Sequence, residues 1–143
     1  MKFKIIEHTA DIGLQVFGGT LAGLFENAAT GMLSIMLDGV DGVRPKKTYR
    51  IKTEGVDYES LLINFLNELV YRFSADKFLF ILFRVKRMGE KAGKYFMSAE
   101  ASGEKIDPAK HKLNFEIKAA TYHDIKIKRR KDGSYTTKII FDV

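Results

Sequence analysis

The chain contains no cysteine. Disulfides, thiol nucleophiles and structural zinc–thiolate sites are therefore excluded, and zero cysteine fits an intracellular protein. Long apolar runs are missing too. The longest, "FLFILF" at 78–83, falls far short of the ~20 residues a membrane-spanning helix needs. The opening "MKFKIIEHTADIG" lacks the apolar core of a signal peptide. The expectation is a soluble, cytoplasmic protein with no membrane partner. The patterns GxxxxGK[ST], GxGxxG and GxSxG do not occur, so the common NTPase and hydrolase classes lose most of their support. Proline is scarce: Pro45 and Pro108 are the only two, and each suits an element boundary.

What is present suits one domain, 1–143, with a real core: 143 residues, 45% hydrophobic and 29% charged. The net charge of +6 is unevenly placed. Residues 1–71 hold seven Lys/Arg against nine Asp/Glu, a balance of −2, and residues 72–143 hold seventeen against nine, a balance of +8. A basic second half suits nucleic acid or an acidic protein surface; a lysine-rich solvated face is the alternative.

Two segments carry a helical period. In "TLAGLFENAATGMLSIMLDG" the apolar residues Leu21, Leu24, Phe25, Ala28, Met32, Leu33, Met36 and Leu37 recur every three or four positions. Thr20 suits the N-cap and Gly39 the stop. In "DYESLLINFLNELVYRFSAD" Leu61, Leu62, Phe65, Leu66, Leu69, Val70 and Phe73 make a second stripe. Asp57 suits its cap, and Glu59 suits the positive end of the helix dipole. The remainder reads as strand: 2–6, 12–17, 48–54, 78–87, 94–103, 113–128 and 135–142. Asp-Gly within "KRRKDGSY" predicts a hairpin. The predicted fold is α+β, with two amphipathic helices packed on a mostly antiparallel, curled β-sheet.

Three clusters are candidates for chemistry. "EHTADIG" gathers Glu7, His8, Thr9 and Asp11 at a strand end, as a rigid sheet would hold a site or as Thr and Asp shape an ordinary turn. "TYHDIKI" carries His123 and Asp124, which on a strand would point to opposite faces. A three-histidine zinc site would need His8, His111 and His123 together, and His111 lies in the turn-like "PAKHK". Lys118, in the otherwise apolar "FEIKAAT", suits an edge-strand gatekeeper or a functional cation. "KIKRRK" places Lys126, Lys128, Arg129, Arg130 and Lys131 beside the hairpin tip, a candidate RNA or partner contact. No aromatic is interleaved in that run for base stacking. Finally, "IIFDV" ends a β-prone run on Asp142, followed by the main-chain carboxylate of Val143. Two acidic groups at one fixed point would suit a cation.

These segments together resemble the archease family. The resemblance covers essentially the whole chain and rests on "EHTADIGLQVFG", "LFENAATGML", "LLINFLNELVYRFSAD", "IKAATYHDIKI" and the final "FDV", in that order. It implies an accessory protein, not an enzyme, that activates the RtcB-type tRNA-splicing RNA ligase. The activation promotes guanylylation of the ligase and multiple turnover, and broadens its NTP use; tRNA is met through the ligase. The resemblance also implies a divalent cation (Ca2+ or Mg2+/Mn2+) held by Asp11 and Asp142, with a main-chain oxygen of Val143 as a further ligand. His8, Lys118 and His123 fall within matched motifs as supporting or functional residues. The alternative is a basic chaperone or modulator acting on RNA directly. A metal-dependent hydrolase using Asp11, Asp142 and His8 lacks a recognisable nucleophile.

Overall fold

The computed structural model describes residues 1–7 and 11–143. Within them the element order is β1 (Phe3–Glu7), β2 (Asp11–Gly18), α1 (Leu21–Met36), β3 (Lys47–Gly55), α2 (Tyr58–Asp76), β4 (Phe78–Lys91), β5 (Lys94–Lys105), β6 (Ala119–Thr121), β7 (Lys128–Arg129) and β8 (Tyr135–Asp142). The expected α+β class and antiparallel pairing are both present, and the strands divide between two sheets. One has the order β1-β2-β8-β6, with β7 also on β8; the other has the order β3-β5-β4.

Both helices start where a side chain satisfies a free backbone donor. Thr20 Oγ1 accepts the Gly23 N–H at 2.9 Å. Asp57 Oδ1 accepts the Ser60 N–H at 2.7 Å, and Ser60 Oγ accepts the Asp57 N–H at 3.2 Å, a reciprocal capping box. Helix α1 ends at Met36, and extended Leu37 bridges to Leu113 before Gly39 turns the chain at φ +94°.

Strand alternation sets the layers. On β2 and β8 the buried Ile12, Leu14, Val16, Thr137, Ile139 and Phe141 point inward, which puts Asp11, Gln15, Thr136, Lys138 and Asp142 on the opposite face. Ile51, Met97, Ala99 and Ala101 supply the inner face of the second sheet. Helix α1 lies against β2 and β4, and α2 against β3 and β6. Phe25 of α1 stacks on Phe65 of α2 with centroids 6.5 Å apart. One contiguous apolar cluster joins both helices and both sheets.

The predicted long strand 113–128 is a correction. Only 119–121 and 128–129 pair with β8. The rest is held by the helices. The Asn114 N–H donates to the Met36 carbonyl at 2.8 Å. From Ala120 on, α2 grips the segment: Asn67 Oδ1 and Nδ2 bond the Ala120 N–H and C=O at 2.8 and 3.0 Å. Tyr122 donates to Asn64 Oδ1 at 2.6 Å, and Glu59 accepts the Ile127 N–H at 3.0 Å. Side chains of a helix thus replace the ladder partners that a strand would need. The predicted hairpin is present. Arg130 accepts the Gly133 N–H at 3.0 Å, and Gly133 takes the left-handed φ of +89° that the turn requires.

Candidate functional site

Strands β2 and β8 pair in unbroken register from Asp11↔Asp142 to Gly18↔Tyr135. The two aspartates are therefore directly opposite, and paired positions share one face of a sheet. That is the face away from the helices, since the neighbouring Ile12 and Phe141 are buried. Like charges so placed cost a few tenths to about 1 kcal/mol. Asp142 is exposed and Asp11 half-buried, with its Oδ1 out of contact with solvent and without a hydrogen-bond partner among the described residues. Leaving such an oxygen unpaired costs ~1–3 kcal/mol. Both costs would be reversed by a positive charge between the carboxylates.

The surroundings fix this corner. Ala119 pairs with Asp142 on the far side of β8 and presents only a methyl group there. The Lys118 N–H donates to the Asp142 carbonyl at 2.8 Å. Val143 is half-buried and packs on the core, which anchors the end of β8. The donor set is two carboxylates with main-chain oxygens nearby, the hard-oxygen chemistry of Ca2+, Mg2+ or Mn2+. It falls short of the roughly six to eight oxygens that Ca2+ takes, which leaves positions for water or a partner's phosphate. No group of three or more His, Cys, Asp or Glu side chains is placed to hold a metal among the described residues. The fit to a cation therefore rests on the aspartate pair and the unpartnered Oδ1.

The other candidate residues disperse. His8 lies outside the described residues. Lys118 meets the pair through its backbone, and its side chain is exposed. His123 and Asp124 are not on a strand: Asp124 turns the chain at φ +51°, and the two side chains meet at 3.3 Å, both exposed. From Ala119 the chain runs back along β8, so His123 moves away from Asp142. In the basic run, Lys128 and Arg129 pair with Thr136 and Tyr135, about 20 Å along β8 from Asp142. Arg129 lies over the Tyr135 ring at 5.8 Å and Arg130 over Phe17 at 5.7 Å. The aromatics missing from the run itself are supplied by neighbouring strands.

A polar network also forms that the sequence reading did not single out. Buried Glu104 accepts from Lys110 Nζ at 2.9 and 3.1 Å, from the Arg44 N–H at 2.7 Å, and from His111 Nε2 at 3.1 Å. The Lys110 hydrogen bonds, helped by the Arg44 N–H, lower its pKa from 4.5 to about 2. His111 Nδ1 accepts the Asp107 N–H at 2.9 Å, which leaves the proton of the neutral ring on Nε2, facing Glu104. His111 is thus a buried pin for the 107–111 loop.

Fold and site define an α+β protein of two antiparallel sheets and two helices, with a carboxylate pair closing one end of a sheet. The profile of the Archease protein family matches residues 3–143. The chain is 42% identical over 137 residues to protein archease of Pyrococcus furiosus, covering 96% of this chain and 95% of that one. It is 37% identical over 142 residues to protein archease of Methanosarcina acetivorans, covering 99% and 96%. Among solved structures, protein 1598 of Methanobacterium thermoautotrophicum matches with a TM-score of 0.80 and 30% identity, covering 99% and 98% of the two chains. A Thermotoga maritima protein described as an archease and possible chaperone matches with a TM-score of 0.57 and 25% identity, covering 98% and 96%. The chain belongs to the archease family.

Proposed function

We propose that this protein is an accessory to an RtcB-type tRNA-splicing RNA ligase and has no ligase chemistry of its own. In this reading it promotes guanylylation of the ligase, sustains its turnover and broadens its use of nucleotides. The observation that carries the reading is the Asp11↔Asp142 register, with its unpartnered Oδ1, in a chain of this family. Asp11, Asp142 and the main-chain oxygens of Val143 would hold a divalent cation at a protruding corner. The cation would supply positive charge against a nucleotide triphosphate. The protein's part is to hold that corner rigid: β8 flanks Asp11, β2 and β6 flank Asp142, and Val143 is packed down. An exposed Asp142 can enter a partner's cleft without unfolding anything.

The test is RNA sealing by a cognate ligase with substrate in large excess over enzyme. Added wild-type protein should convert a single round into many, and Asp142→Ala, at equal thermal stability, should not. Equal stimulation by both would remove the carboxylate pair from the mechanism. The second reading is direct RNA contact by Lys126, Lys128, Arg129, Arg130 and Lys131, two of which lie over aromatic rings. RNA binding by this protein alone that is untouched by Asp142→Ala would favour it.

A further inference from the structure

We propose that the outer face of the β3-β5-β4 sheet is a binding surface for single-stranded nucleic acid, separate from both the carboxylate pair and the basic hairpin. Register builds the surface in rows. Arg50 and Arg84 flank Glu100, Lys52 and Arg87 flank Ser98, and Glu54 and Gly89 flank Phe96. All these residues alternate with the buried Ile51, Met97, Ala99 and Ala101, so they share the face turned from the core. Arg50, Lys52, Arg84 and Arg87 are exposed. The two carboxylates of the face have partners outside that set: Glu100 has Lys86 at 3.9 Å, and Glu54 has Lys94 at 3.2 Å. The four remaining cations make no ion pair among the described residues, and their rows repeat every ~6.8 Å along the strands. That is comparable to one nucleotide step of an extended single strand.

Two features favour nucleic acid over an acidic protein. A groove of about 380 Å³ is lined by Lys52, Arg87, Ser98, Phe96 and Glu54, so two cations and a ring share one space with a carboxylate that Lys94 pairs at 3.2 Å. The Arg87 guanidinium lies 5.9 Å from the centroid of the half-buried Phe96 ring, a cation-flanked platform for a base. Across from it, Gly89 leaves room for the ring to lie against the strand; a Cβ there would come within 3.3 Å of Phe96 Cζ. A phosphate would seat above Ser98 between Lys52 and Arg87, with a base on Phe96 one row along.

The proposal needs no ligase, so its test is independent of the function above. Fluorescence anisotropy of a labelled 12-nucleotide oligouridylate would be followed across a salt series. Four phosphate contacts on a single strand give a log–log salt slope of about −3. The Lys52→Gln/Arg87→Gln double variant should flatten it by about 1.4. Phe96→Ala should weaken binding roughly 5- to 150-fold with the slope unchanged. The hairpin variant Lys128→Gln/Arg129→Gln should bind within about twofold of wild type. Thermal melts report folding, and the double variant, altered only at exposed positions, decides if Phe96→Ala unfolds. No binding at 50 mM salt, loss only in the hairpin variant, tighter binding of a duplex of the same length, or equal displacement by poly-glutamate would each overturn the proposal.

Discussion

Among single residues, Asp11 is the position whose chemistry is least explained by the fold alone. A carboxylate oxygen buried without a partner among the described residues, opposite a second carboxylate, is a cost to the corner that a cation held there would offset. Titration calorimetry should therefore find one divalent cation site in the wild type and at least a tenfold weaker one in Asp11→Asn. The metal-free variant should melt no lower than metal-free wild type, because the like-charge contact has been removed. Unchanged affinity would contradict the assignment. Glu104 makes a different prediction. Its pKa in the fold, about 2, lies below its ordinary 4.5. Its contribution is thus present above pH ~4.5 and is lost as pH falls toward 2. Melting temperature should hold from pH 7 to 5 and then decline. Glu104→Gln should melt lower at pH 7 and show a shallower decline between pH 5 and 2, as followed by circular dichroism.

At the scale of elements, the caps and close approaches can be tested one by one. Asp57→Ala removes the capping box of α2 and should cost about 1 kcal/mol in urea unfolding. Gly103 sits on β5 beside the bulge between Phe80 and Leu82, and a Cβ there would run into the Leu79 carbonyl. Gly103→Ala should cost about 1–3 kcal/mol in the same measurement, by forcing β4 and β5 apart. Both helices were legible in the sequence because stripe and N-cap agreed. The hairpin was legible because Asp-Gly left one answer. Residues 113–128 were not, because much of what holds them is Asn64, Asn67 and Glu59 of a helix distant in sequence. The carboxylates of the site could be picked out in the sequence. Their pairing could not, since it depends on β8 lying beside β2, and no local pattern states that. The cationic rows had a faint signal in "YRIK" and "FRVKR", visible as a surface only once β5 lies between them.

For the molecule as a whole, the charge asymmetry resolves into separate regions. The carboxylate corner stands at one end of β8, and the basic hairpin at the other, about 20 Å away. Further cations line the outer face of the second sheet. A protein of this shape can present acidic oxygens to a partner's nucleotide site while its basic surfaces meet polyanions elsewhere. The most direct test of the central claim is single-turnover guanylylation of a cognate RtcB-type ligase. It would be run alone, with wild-type protein, and with Asp11→Ala or Asp142→Ala. The account predicts faster guanylylation with wild type and the unassisted rate with either folded variant. Stimulation by both variants equal to wild type would contradict it.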